Sequence, residues 1–359
     1  MSRPEVIVCA GGGGVGKTTA SAALALSLAR KGHRVLIVSI DPARRLADAM
    51  GVELGTSARA LSVDVGRGQL FGLMPDPDDA LRTFIEVLFE DEPDSVERLL
   101  HNRLYLALEA AVPGIHEIVT MTLTWRASVE NDIEVVIIDT APSRNAIDFI
   151  TYPKRLAKLL GGRAVGWMAA MGRRTHLGDD NKMGRVEKLL VRALGPAARD
   201  VAGLFAEMAR VRERFIMLNE HTSELLLHPD TRYFLVASPT AAARDDVDFL
   251  IRKLRSLKRE ARAIFLNSAF VLPRPWIETL QSAEGVSGAF REALADLQRE
   301  EAVRNAATER ISRSFAHKHP ELRRLLLPHV EAIEPRAIVH AIADQFAGSA
   351  IAALPNPRR

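Results

Sequence analysis

Ala10-Gly-Gly-Gly-Gly-Val-Gly-Lys-Thr-Thr19 decides the fold. On its amino side lies a short apolar run, Glu5 to Cys9, and on its carboxyl side a longer run of helical character, Ala20 to Ala29. The stretch therefore predicts strand, glycine loop and helix in succession. Gly11, Gly16, Lys17 and Thr18 satisfy G-x-x-x-x-G-K-[ST], the phosphate-binding loop. Glycines let successive backbone N–H groups converge on phosphate oxygens, and the helix that follows adds the positive end of its dipole. The candidate nucleotide-binding residues are Gly12, Gly13, Gly14, Val15, Gly16, Lys17, Thr18 and Thr19, with Lys17 neutralising the outer phosphates and the Thr18 hydroxyl offered to Mg²⁺. Gly11, Gly13 and Gly16 also spell G-x-G-x-x-G, a dinucleotide hint that the following Lys-Thr pair decides against.

Further along, Arg34 to Ile40 reads as a fully buried strand ending in Asp41. A charged residue at the carboxyl end of such a strand sits where open α/β sheets place ligand chemistry, which makes Asp41 a candidate catalytic residue; capping a helix begun by Pro42 is its structural alternative. Glu134-Val-Val-Ile-Ile-Asp139 is a second apolar run ending in a carboxylate, the pattern that holds Mg²⁺ behind a phosphate loop, usually through water. Arg232 to Ala237 and Arg262 to Asn267 resume the strands with an amphipathic helix between them, and Leu322 to Leu327 is a candidate last strand ending at Pro328. This alternation predicts an α/β fold, a doubly wound and mostly parallel sheet of the P-loop NTPase type. Asn267 is placed at a strand end either to read a purine or to serve a turn.

Two stretches break the alternation and predict an inserted all-helical subdomain, 76–129 and 153–230, within a core of 1–75, 130–152 and 231–345 and a tail of 346–359. In the first, Leu81, Phe84, Ile85 and Leu88 recur at helical spacing, Asp94 and Glu97 resemble a capping pair, and Pro113-Gly114 stops a helix. In the second, Met168, Met171, Met183, Met208 and Met217 gather beside Trp167, as core filler or as a groove for varied apolar partners.

The chain has 359 residues, 47% of them hydrophobic, enough for a large core, and a net charge of +3, too small to call for a nucleic-acid partner. Arg252, Lys253, Arg255, Lys258, Arg259 and Arg262 form the densest basic stretch and read as a solvated helix face. The single cysteine, Cys9, excludes an internal disulfide and suits a reducing, cytoplasmic compartment, as does a start without a secretory pattern. No apolar helical run reaches the roughly 20 residues a bilayer demands, so any membrane role is expected to be peripheral. His317 and His319 form an H-x-H pair for which no carboxylate or cysteine partners are expected, and predict no metal site.

Taken together, Gly11 to Thr19, Asp41-Pro42-Ala43, Asp139-Thr140-Ala141-Pro142 and Asn267 resemble the arsenite-pump and tail-anchored-protein-targeting ATPases, a deviant phosphate-loop class, across the whole chain. The resemblance implies ATP and Mg²⁺ as ligands, Thr18 on the metal, Asp41 in the first switch orienting or activating water, Asp139 opening the second switch and Asn267 on the adenine, with Pro328 a further nucleotide-binding candidate. Pro113-Gly114 also resembles a family turn. No guanine-reading Asn-Lys-x-Asp follows a strand; Asn181-Lys182 continues as Met183-Gly184. Family members work as face-to-face dimers or fused halves, so a chain with one phosphate loop is expected to dimerise, with itself or with a paralogous ATPase, and to serve a hydrophobic client or a peripheral membrane partner.

The departures are as informative. The family's lysine that reaches across the dimer should follow Gly11, and this chain has Gly12. A cation supplied in trans can be worth roughly 10³ to 10⁵ in phosphoryl-transfer rate. Arg44, Arg45 and Arg144 are candidate substitutes, and a heterodimer with a lysine-bearing paralogue is the other solution. Cys9 alone supplies neither a Cys-x-x-Cys zinc clamp nor a thiolate cluster for arsenite. Ser143-Arg144-Asn145-Ala146 replaces the commoner Thr-Gly-His-Thr of the second switch.

Overall fold

The apolar runs flanking the glycine loop fold side by side into one eight-stranded sheet of order β3-β4-β2-β5-β1-β6-β7-β8. The computed structural model describes residues 3–41, 43–76, 79–90, 92–101, 115–141, 148–151, 207, 210–270, 279–280, 283 and 287–347. The strands are β1 (Glu5–Gly11), β2 (Arg34–Ser39), β3 (Arg59–Ala60), β4 (Gln69–Leu73), β5 (Val135–Asp139), β6 (Arg232–Ala237), β7 (Ala261–Ala269) and β8 (Arg323–Pro328). Every ladder is parallel except β3 with β4.

β1 lies inside the sheet, with Cys9 level with Asp139 of β5 on one side and Gly11 level with Val236 of β6 on the other. Ser39 of β2 is level with the same Asp139. Parallel pairing at these registers brings the carboxyl ends of β1, β2 and β5 together. The chain leaves β1 toward β2 on one flank and β6 lies on the other, so the loop after β1 sits at the switch point where open α/β sheets bind ligands.

The first crossover is α1 (Lys17–Arg30), whose Leu24, Leu26 and Leu28 are all fully buried. Its alanine-rich surface lets β2 on one side and α9 (Pro335–Ala347) on another approach it, and so the run carries no polar stripe. Phe346 of α9 is fully buried, its ring 5.1 Å from that of Phe265, so the expected tail boundary at 346 falls inside a core helix.

Other helices of the sheet unit among the described residues are α2 (Arg45–Met50), α7 (Ala241–Ser256) and α8 (Gly288–Lys318). Thr240 caps α7 by accepting from the Ala243 N–H at 3.2 Å. The basic stretch is not one helix face: Arg252, Lys253 and Arg255 lie on α7, Lys258 and Arg259 in the turn after it, and Arg262 on β7. His319 meets a carboxylate after all, since its Nε2 lies 2.8 Å from Asp248 Oδ1.

Contacts divide the chain into two units, one of residues 1–73, 128–147 and 229–359 and another of 74–127 and 148–228. Within the second, α3 (Ala80–Leu88) buries Phe84, Ile85 and Leu88, and Phe84 meets Phe215 of α6 (Arg212–Leu227) edge to face at 5.9 Å. The expected capping pair does not form: α4 (Pro93–Leu100) starts on Pro93 after Glu92, which places Asp94 inside the first turn. Proline is suited to that position because its missing N–H is not needed there. α5 (Ile115–Glu130) and a short 3-10 turn, Asp148–Thr151, complete the described part. Pro113-Gly114, Arg144, Trp167, Met168, Met171, Met183 and Met208 lie outside the described residues, and Met217 on α6 is exposed.

Candidate functional site

The loop between β1 and α1 is shaped by glycine where no other residue fits. Gly16, the residue before α1, has φ +82°, and a Cβ there would overlap the Asn267 amide. No side chain caps α1 and its first turn carries no acidic residue. The backbone N–H groups of Lys17, Thr18 and Thr19 therefore present an unneutralised positive helix end. Gly13 and Gly14 are exposed, with nothing within 4 Å of where a Cβ would stand, and Val15 tucks into the core. The loop thus has a free outer surface on which an anion can settle.

Lys17 is buried and donates to the Gly12 carbonyl at 2.7 Å. Burial lowers its pKa, while the carboxylates of Asp139, Asp41 and Asp246 act in the opposite sense. Asp139 at the end of β5 is fully buried; Thr18 Oγ1 donates to its Oδ2 at 2.7 Å and Ser21 Oγ to its Oδ1 at 3.3 Å. Burial pushes its pKa up to about 6, against the Thr18 hydrogen bond and the Lys17 charge. A hydroxyl and a carboxylate oxygen this close are the hard-oxygen set that Mg²⁺ prefers. The Cys9 thiol, wholly buried, is pushed up to about 12 and stays protonated.

Asp41 is buried just beyond β2, with Oδ1 accepting from the Ala43 N–H at 3.0 Å and Oδ2 from Arg45 at 2.9 Å. It does not cap α2, whose N-cap is Arg44. Arg45 is more than half exposed, so a water molecule displacing it from Asp41 meets little steric resistance. Asn267 on β7 is buried, and its amide donates to the Val15 carbonyl at 3.0 Å, clasping the loop across the sheet. Pro328 ends β8, and the next residue, His329, stacks on Phe270 at 4.6 Å. The structure thus gathers Lys17, Thr18, Asp139 and Asp41 at one point and puts Asn267 against the loop, with Pro328 two strands out from β6.

Sequence reading missed two members of this group. Ser21 stands three residues after Thr18 on the same helix face, a spacing that foretells its position. Asp246 on α7 is the more consequential: a Cβ on Gly12 would fall well inside van der Waals contact of its Oδ2. The position where the family's crossing lysine is expected therefore adjoins a carboxylate of this same chain. Its only signal in sequence is a place on the helix that leaves β6 at the loop end of the sheet.

Topology and loop together define the class, a P-loop nucleoside triphosphatase with a mostly parallel sheet. Residues 4–297 match the family model described as Anion-transporting ATPase, and the chain belongs to that family of ATPases. It is similar to a protein named ATPase get3 from Aspergillus terreus, 26% identical over 263 residues, covering 73% of this chain and 72% of the relative. A namesake from Schizosaccharomyces japonicus is 28% identical over 253 residues, 63% of this chain and 76% of the relative. One from Ajellomyces dermatitidis reaches 32% over 151 residues, 42% and 43% of the two chains. Among the described residues no helix is long and apolar enough to cross a membrane, and no group of His, Cys, Asp and Glu could hold a metal ion without other ligands.

Proposed function

We propose that this chain binds Mg²⁺·ATP in the loop between β1 and α1, hydrolyses it, and uses the change of nucleotide state to open and close a dimer that presents a helical surface to a hydrophobic client. The observation that carries the reading is the 2.7 Å bond between Thr18 and a fully buried Asp139 beside Lys17 and an uncapped helix start. In this reading the loop amides and Lys17 hold the phosphates, Lys17 exchanging the Gly12 carbonyl for phosphate oxygen. Thr18 and Asp139 hold the metal, Asp139 through water, and the metal neutralises charge on the phosphate oxygens when bound. Asp41 orients the attacking water once Arg45 has moved off it, and Asn267 keeps the loop in shape beside the base. The expected setting is the cytoplasm, with no nucleic-acid partner.

The decisive experiment is ATP binding by Lys17→Ala with the wild-type chain as control. Affinity falling by roughly 100-fold or more, as expected for loss of a charge-assisted phosphate contact and its neighbours, supports the reading; unchanged affinity refutes it.

A second reading, a low-turnover half of a heterodimer with a lysine-bearing paralogue, is favoured by Gly12 and its neighbour Asp246. A lysine restored at position 12 alone would meet that carboxylate in its own chain, so the informative variant is Gly12→Lys combined with Asp246→Ala. A large gain in turnover by that variant alone in solution favours the heterodimer; no gain favours the homodimer. An arsenite-transporting role finds no support in the thiol content, and ATPase activity indifferent to arsenite would close it.

A further inference from the structure

We propose that the cavity at the amino ends of β6 and β7 is an anion site, built to hold a phosphate-bearing ligand far from the ATP loop. The cavity has a volume of about 390 Å³ and is lined by Arg255, Lys258, Arg259, Glu260 and Arg262, with Thr231 at its wall. That volume lies in the range of small-molecule sites. Four cations surround it against one carboxylate, an arrangement whose self-repulsion is relieved by a bound anion.

Two of these cations have other work. Arg255 lies 3.0 Å from Glu321 and, in the last turn of α7, also complements the helix dipole; Arg259 donates to the Lys258 carbonyl at 2.9 Å. Lys258 and Arg262 make no ion pair among the described residues. Lys258 also stands where its backbone argues against it, with φ +58°. It closes α7: its N–H donates to the Arg255 carbonyl at 2.9 Å, and the Arg259 N–H to the Leu254 carbonyl at 2.9 Å. Helices that end this way favour glycine at the left-handed position, because a Cβ is disfavoured there. Glycine would close the turn with less strain, and what lysine adds is an ammonium group at the cavity wall.

The place also separates this cavity from the nucleotide. Arg232 at the start of β6 is level with Ile7, and Val236 with Gly11, so the cavity and the loop lie at opposite ends of the strands. At about 3.3 Å per residue the separation is roughly 20 Å. Guanidinium forks matched by an ammonium suit phosphate oxygens, whether these come from a soluble phosphorylated molecule or from the headgroup of an acidic lipid. The inference does not rest on the ATPase reading.

The test compares Lys258→Gly/Arg262→Ser with its parent, both carrying Lys17→Ala to keep the probe off the loop. Pyrophosphate binding is measured by calorimetry, and co-sedimentation with vesicles of phosphatidylcholine containing phosphatidylglycerol is compared with phosphatidylcholine alone. The expected result is that the parent takes up at least one probe and the double variant does so roughly tenfold more weakly or worse. Lys258→Gly alone is expected to melt no lower than its parent, since glycine relieves the left-handed strain, so a loss of binding is not a loss of fold. A response to pyrophosphate alone assigns a soluble anion and a response to vesicles alone assigns a headgroup. Equal binding by parent and variant, or no uptake of either probe by the parent, overturns the proposal.

Discussion

Replacing Asp139 by asparagine is expected to make the nucleotide-free protein more stable while abolishing its chemistry. The carboxyl pKa is pushed up to about 6 in the fold, against an ordinary value of about 3.9, and burial is the main cause. Between those values the folded state holds more protons than the unfolded one, so this group's contribution to stability falls as pH rises through the window and stays lost above it. Two pKa units correspond to about 3 kcal/mol. Asparagine keeps the shape without the charge. One of the two hydroxyls that now donate to Asp139, from Thr18 and Ser21, must turn to accept from the new amide, which returns about 1 kcal/mol of the gain.

Asp139→Asn is therefore expected to exceed the wild type by about 2 kcal/mol at pH 8 in urea unfolding of the ligand-free protein, followed by circular dichroism. The difference should shrink to zero or slightly below it toward pH 4, where the folded carboxyl is neutral as well and only the hydrogen-bond cost of asparagine remains. Mg²⁺·ATP should reverse the order, because only the wild type gains from binding. A variant less stable than wild type at pH 8 without ligand, or one with the same slope between pH 4 and pH 6, would show that Asp139 carries no desolvation penalty.

Three other outcomes follow from named contacts. Gly12→Ala should cost no more than about 1 kcal/mol, since the Asp246 carboxylate that its Cβ overlaps ends a flexible side chain and can turn to a less favoured rotamer, and in the Asp246→Ala background the same change should cost nothing, because the Cβ of residue 246 is an ordinary 3.6 Å away; additive effects in the double-mutant cycle would contradict this. Asn267→Ala, which unclasps the Val15 carbonyl, should weaken inorganic triphosphate as much as ATP, and a loss confined to ATP would assign the amide to the base instead. Asp41→Asn retains an acceptor for the Ala43 N–H, so ATP affinity should hold while kcat falls by roughly 10²-fold or more, and unchanged turnover would remove Asp41 from the chemistry.

What could be read from the sequence was set by how each element earns its burial. β1, β2, β5, β6 and β7 are covered on both faces, so they appear as unbroken apolar runs whose polar terminators, Asp41, Asp139 and Asn267, announce the ligand end of the sheet. β4 is only five residues long with Gly72 inside it, and β3 only two, too little pattern to separate from loop. α8 went unread for a different reason. Four of its five buried positions, Leu294, Glu301, Thr308 and Phe315, recur every seven residues with Ile311 between the last two, a narrow seam in which two of the five are polar. A 31-residue helix can thus pass as a solvated stretch when its inward side does little hydrophobic work.

The same logic separates what motif reading finds at the site from what it misses. Lys17 and Thr18 are placed by local sequence at the first turn of α1 and Asp139 at the end of β5, so spacing alone locates them. Asp246 acts by lying beside Gly12 from 234 residues away in the chain, an encounter created only when β6 is laid against β1 and α7 turns back from its end. The absent lysine reads in sequence as a simple loss, whereas in the fold position 12 is coupled to Asp246: any residue larger than glycine there obliges the Asp246 carboxylate to turn aside. Replacing the two residues together is therefore the change that the fold accommodates most readily, because a shorter side chain at 246 leaves open the space that a Cβ at position 12 needs.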